Sequence, residues 1–265
     1  MIEVHSNLVK EFKHWVFPGG EVGVKFEFND SGFQHFAIKW KVENKSNLHQ
    51  EFFIVANAVD AIRQKFPKAD IYLLIPYYPY ARQDRVCHEG ESHAMKVFEN
   101  LLSTLPVTKV IVRDLHSNTN SIDLGEVQQW LCLSKFPTDR YQFLVAPDKG
   151  ASEKVKRCME VCSNAKFHVT LNKVRKDGKV IHEPLGFIKS PAYRALVVDD
   201  ICDGGATFIS VAKAIKECNP HVQLDLYVTH GIFSKGLDEL SLYYNKIFCY
   251  NLMNLDLVDQ VDHII

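Results

Sequence analysis

The stretch Leu196-Val197-Val198-Asp199-Asp200-Ile201-Cys202-Asp203-Gly204-Gly205-Ala206-Thr207-Phe208 decides how the chain is to be read. Leu196 to Val198 is a short apolar run of the kind that fits a strand buried on both faces, and polarity switches abruptly at Asp199 and Asp200. The spacing therefore predicts two carboxylates at a strand's carboxyl end. Asp203 to Thr207 reads as a small-residue turn, after which Phe208, Val211, Ala212, Ala214 and Ile215 recur at helical spacing. A turn of this kind leaves backbone N–H groups free at a helix N-terminus, where the helix dipole also favours an anion. Adjacent carboxylates can accept hydrogen bonds from vicinal hydroxyls. Strand, acidic pair, turn and helix together suit a sugar phosphate.

The plain alternative is a helix cap and a tight turn with no ligand. Against it, two adjacent carboxylates repel each other, and a turn has no need of both unless a cation or polyol offsets the charge. The stretch resembles the phosphoribosyl-diphosphate loop of type I phosphoribosyltransferases and of ribose-phosphate diphosphokinases.

Working outward, the 265 residues suffice for two domains of ordinary size. With 46% hydrophobic and 24% charged residues and a formal charge of −1, the composition is that of a soluble globular protein without a global case for nucleic-acid binding. No apolar run approaches the length of a membrane span, and Met1 to Asn7 lacks the pattern of a signal peptide, so a cytoplasmic location is expected. Seven cysteines without paired spacing suggest reduced thiols. Cys158 and Cys162, four apart on an expected helix, read better as buried thiols than as half of a metal site.

Upstream, residues 1 to 45 read as short strands with turns at Phe17-Pro-Gly-Gly and Asn29-Asp-Ser-Gly. Leu48 to Phe66 is an amphipathic helix, and Ile71 to Ile75 an apolar strand. The loop Pro76-Tyr77-Tyr78-Pro79-Tyr80-Ala81-Arg82-Gln83-Asp84-Arg85 follows. Its composition suits either a purine-stacking site with an arginine for phosphate or a proline-stiffened connection whose tyrosines pack on the core. Glu91 to Leu102 reads as a helix, and Lys109 to Val112 as a strand ending in Arg113-Asp114-Leu115-His116-Ser117.

The pattern restarts near residue 137, where Pro137 to Arg140 reads as a linker, and Phe143 to Ala146 is a buried strand leading to Pro147-Asp148-Lys149-Gly150. Domains of 1–136 and 137–265 are expected. Lys166 to Leu171 is a further strand, and Asn172 to Arg194 shows no clear period and opens with Lys173-Val174-Arg175-Lys176. Val222 to Val228 is a strand before Thr229-His230-Gly231-Ile232-Phe233-Ser234, and Lys246 to Tyr250 the last one.

These segments extend the resemblance from about Phe17 to Tyr250, through five motifs in family order. The Tyr77 to Arg85 loop looks like the ATP loop of ribose-phosphate diphosphokinases, which phosphoribosyltransferases do not carry. The resemblance implies an α/β protein of two doubly wound phosphoribosyltransferase-like domains with parallel sheets, the first carrying the ATP loop and the second the catalytic and ribose-phosphate loops. It further implies ATP seated by Arg82, Gln83 and Asp84; magnesium at His116 and Asp148; catalytic Lys173 and Arg175 on a mobile loop; and the acceptor at Asp199, Asp200, Asp203, Gly204, Gly205, Ala206 and Thr207. Thr229 to Ser234 resembles a turn that lines a neighbouring subunit's adenine site or the fold's edge.

The implied reaction moves the β,γ-diphosphate of ATP to the 1-hydroxyl of ribose 5-phosphate and releases AMP, in a homo-oligomer that binds small molecules and neither nucleic acid nor membrane. The chain departs from the family pattern where Gly204 replaces a threonine and Ala206 a glycine. The lost side chain leaves room for a larger 5-substituent on the ribose, such as ADP-ribose, whose product could feed NAD synthesis. A phosphoribosyltransferase and a non-catalytic regulatory homologue are the other readings.

Overall fold

Turn chemistry and apolar period set the elements. The computed structural model describes residues 1–43, 46–117, 124–127, 140–160, 164–165, 167–176, 179–182 and 194–263, with the backbone alone at 124–127, 173–176, 179–181 and 263. The chain divides into two compact units, Met1–Val127 and Gln128–Ile265. The expected boundary at 136/137 falls outside the described residues.

In the first unit, the Phe17 to Glu21 turn closes a hairpin of β2 (Val9–Val16) and β3 (Val22–Phe28). Its Gly23 is required because a Cβ there would lie 2.5 Å from the Trp15 ring. The main sheet has the order β1-β4-β5-β6-β7, formed by β1 (Ile2–His5), β4 (His35–Trp40), β5 (Asp70–Ile75), β6 (Lys109–Arg113) and β7 (Leu124–Val127). Only β1 is antiparallel. Right after β4, α1 (Leu48–Lys65) starts at Asn47, whose side chain accepts from the Gln50 N–H, and buries Ile54, Val55, Ala58, Val59 and Ile62. The helix of the next crossover, α2 (Ala94–Leu102), begins three residues later than its apolar period suggested, because the His93 ring caps it by accepting from the Lys96 N–H.

The second unit is built on an all-parallel sheet of order β15-β14-β13-β12-β8-β9. Its strands are β8 (Phe143–Ala146), β9 (Phe167–Thr170), β12 (Arg194–Cys202), β13 (Gln223–Gly231), β14 (Lys246–Leu252) and β15 (Asp262–His263). Alternation along the central strands assigns a helix to each face. Leu144, Leu196 and Val198 pack with Ala151, Val155 and Cys158 of α3 (Lys149–Met159). Val145 and Val197 pack with Phe208, Val211, Ala212 and Ile215 of α4 (Ala206–Cys218). Burying each such aliphatic side chain stabilises by about 1.5–3 kcal/mol.

Three expectations need correction. Within the stretch that lacks a clear period, β10 (Lys173–Lys176) and β11 (Lys179–His182) pair antiparallel. Helix α3 stops at Met159, so it does not reach Cys162, which lies outside the described residues. The tail after Leu252 contains a 3₁₀ helix, Leu255–Gln260, and adds β15 to the sheet.

Candidate active site at the strand ends

In the second unit the sheet doubles back on itself. From β8 the chain moves to β9 on one side and later to β12 on the other, so the space between β8 and β12 is the switch point of the sheet, where open α/β folds bind ligands at the strands' carboxyl ends. Asp148 follows β8 there, and the Asp199 to Thr207 stretch ends β12 beside it.

The acidic pair lies within β12, not just beyond it. Pairing with β8 stops at Val197↔Val145, whereas pairing with β13 continues to Cys202↔Gly231. The longer β13 thus holds Asp199 and Asp200 in extended backbone past the end of β8. Asp200 is buried and meets Lys154 of α3 at 3.4 Å. Loss of solvent, then the neighbouring Asp200 charge, pushes the Asp199 carboxyl well above the usual range, against the pull of Lys154. Lys154 thus meets one member of an acidic pair that stands at the carboxyl end of the strand.

After the strand, Gly205 takes a left-handed conformation at φ 79° and forms the N-cap of α4, without a capping side chain. Ala206 and Thr207 are therefore the helix's first turn, two residues earlier than the apolar period indicated. Asp203 is anchored by Ser234, whose Oγ donates to Oδ1 at 2.6 Å. At Gly204 a Cβ would touch the Lys235 stem at an ordinary 3.4 Å.

Asp148 is an N-cap. Its Oδ1 accepts from the N–H groups of Gly150 at 2.9 Å and Ala151 at 3.3 Å. The helix it starts also carries Lys154, so one element serves both carboxylate sites. Of Lys173 and Arg175 the structure describes the backbone alone, on β10. Thr229, His230 and Phe233 are buried in the unit's own interior, while Ile232 is half-buried and Ser234 exposed at the end of the turn. Burial pushes the Cys202 thiol up and Cys249 to about 12, consistent with inert reduced cysteines.

In the first unit the loops after β5 and β6 meet. Tyr78 is core, its ring 5.3 Å from Phe98, and burial raises its hydroxyl pKa. That settles Tyr78 as packing, while Arg82 and Gln83 are exposed. Asp84 takes both nitrogens of an Arg85 fork, at 2.9 and 2.8 Å, and accepts the Ser117 hydroxyl at 2.5 Å. The Arg85 hydrogen bonds above all, then Ser117 and the Arg85 and His116 charges, hold its carboxyl well below the usual range. Asp84 is thus the tie between the Arg82 loop and the exposed His116. Tyr80 at φ 63° and Asp114 at φ 45° are non-glycine residues held in the left-handed region at these loops. Such strain collects where a site is pre-organised.

Ser117, Lys154 and Lys235 take roles here that no local motif gives them. Ser117 follows His116 directly and Lys154 is a plain helix lysine, so only their long-range partners reveal them. Among the described residues no three His, Cys, Asp or Glu side chains form a ready metal cluster, and no helix is long and apolar enough to cross a membrane.

Two such α/β units, with polar loops gathered at strand carboxyl ends, define the class. The structure superimposes on the phosphoribosylpyrophosphate synthetase of Mycobacterium smegmatis with a TM-score of 0.76, covering 96% of this chain and 85% of that one at 19% identity, a likeness of fold. Residues 3–105 match the family model for the N-terminal domain of ribose phosphate pyrophosphokinase. The ribose-phosphate pyrophosphokinase of Mycoplasmopsis pulmonis is 31% identical over 193 residues, which take in 68% of this chain but only 57% of the relative's length. That of Pyrococcus abyssi is 26% identical over 100% of this chain and 92% of its own. The chain belongs to the ribose-phosphate pyrophosphokinase family, whose members are transferases.

Proposed function

We propose that the protein transfers the β,γ-diphosphate of MgATP to the 1-hydroxyl of ribose 5-phosphate. The observation that carries this reading is the acidic pair and the open N-terminus of α4 at the β8/β12 switch point. Asp199 and Asp200 accept the ribose hydroxyls, and the Asp203 to Thr207 turn takes the 5-phosphate on its N–H groups. Arg82 and Gln83 seat ATP from the first unit, with Asp84 setting the loop. The ribose oxygen bonds to the β-phosphorus, the bond from that phosphorus to the oxygen shared with the α-phosphate breaks, and the electron pair leaves on AMP. The hydroxyl proton passes to water. Lys173 and Arg175 steady the charge that develops on the phosphates.

Magnesium would be held at His116 on the first unit and at Asp148 on the second, supplying charge neutralisation to the phosphates. Asp148 offers a carboxylate, the kind of oxygen ligand of which this ion takes one or two from protein, leaving the rest to phosphates and water. Exposed Phe53, Val97 and Leu101 on α1 and α2 support self-association, which sedimentation at two concentrations would test.

A second acceptor is favoured by Gly204, where the missing side chain leaves the Lys235 stem as neighbour. That acceptor is a ribose bearing a larger 5-substituent, such as ADP-ribose. AMP release from MgATP, measured with each acceptor and with product masses, decides between them. Replacing Lys173 and Arg175 by alanine is expected to abolish transfer and spare ATP binding. Release with neither acceptor would favour a regulatory homologue, and consumption of the 1-diphosphate with a base would favour a phosphoribosyltransferase.

A further inference from the structure

Strand β11 packs along the helix of the phosphate turn and is tied to it at His182. The backbone N–H of His182 donates to Ser210 Oγ at 3.1 Å, and the ring Nδ1 of the same residue lies 3.0 Å from that oxygen. With the ring protonated at Nε2, the serine hydroxyl donates to Nδ1 while its oxygen accepts the backbone N–H. His182 is 3% exposed and Ser210 half-buried, so the pair is partly shielded from water, which strengthens such hydrogen bonds.

The register gives this contact its meaning. His182 is the strand partner of Lys173, the first residue of β10, and Arg175 pairs with Val180 two steps along. Ser210 lies five residues after Gly205, which caps α4 at the phosphate turn. The His182 side chain therefore ties the hairpin bearing both proposed cations to the helix bearing the phosphate site. We propose that His182, through Ser210, is a positioning residue for the transfer, and this rests on the function proposed above. It touches neither substrate. It sets where the Lys173 backbone stands relative to the turn, and displacements of about 1 Å at such a support can cost about a hundredfold in rate.

The test uses the full chain and its Ser210→Ala and Ser210→Thr variants, with amide hydrogen exchange read beside AMP release. For Ser210→Ala we expect faster exchange confined to residues 173–182, kcat lower by about ten- to a hundredfold, and KM for ATP unchanged. Ser210→Thr, which keeps the hydroxyl, should restore both. Unchanged exchange at 173–182 overturns the latch, and faster exchange with unchanged kcat overturns its positioning role. If the unaltered protein releases no AMP with either acceptor, the transfer reading fails. Exchange then still judges the latch, upheld if faster at 173–182 in Ser210→Ala and overturned if not.

Discussion

Gly205 and its neighbour Gly204 look alike in sequence and differ in what they tolerate. Gly205 has φ 79° and a Cβ there would press on the Leu240 side chain at 3.2 Å. We expect Gly205→Ala to cost about 1–3 kcal/mol in urea denaturation. Gly204 has ordinary room, so Gly204→Thr should fold normally and shift the ratio of kcat/KM toward ribose 5-phosphate over ADP-ribose. Asp199 sets a pH dependence of the unusual sign. Below the ordinary value of 3.8 both folded and unfolded chains hold its proton, and nothing is lost. Above it the unfolded chain ionises while the folded site resists, so the group opposes folding as pH rises toward its raised value. Asp199→Asn should accordingly be more stable than the unaltered protein at pH 7, with the difference vanishing near pH 3 in denaturation curves. The same substitution should impair turnover with the ribose acceptor.

At the level of elements, capping and catalysis can be separated in α3. Asp148→Ala removes the cap and should cost about 1 kcal/mol, whereas Asp148→Ser keeps a capping oxygen and loses the carboxylate. If Asp148 holds magnesium, the serine variant will keep its melting temperature and require more magnesium for AMP release. The tie between the β5 and β6 loops is an ordinary carboxylate case. Asp84 has a lowered pKa, so its contribution is present above 3.8 and fades as pH falls below that value. Because Arg85 is 73% exposed, Asp84→Asn should cost only about 1 kcal/mol at neutral pH, a loss that shrinks in acid. The elements around these loops follow from local patterns. Leu48 to Lys65 and Ala206 to Cys218 announce themselves by apolar spacing, and the Asn47 cap is local. The extent of β12 is not local: Asp199 and Asp200 are poor strand residues, kept extended because β13 runs on beside them to Gly231.

For the whole molecule, each unit has its own buried interior. Leu196 is fully buried in the second, and Leu196→Ala should weaken it by about 3 kcal/mol while exchange protection in residues 1–127 stays as it was. The alternation of strand and helix, the acidic pair before a glycine turn and the order of the five motifs were all present in the chain as written, because period, polarity and turn chemistry are properties of neighbouring residues. Period and polarity pointed to the α/β class, while the motifs in their order carried the family resemblance and the candidate site residues that it implies. What only the tertiary structure decided is how those residues are held. Lys154 against Asp200, Ser117 against Asp84, Ser234 against Asp203 and Ser210 against His182 are partners from 28 to 46 residues apart. No local pattern carries them, since each depends on strand order and register that form only when the sheets do.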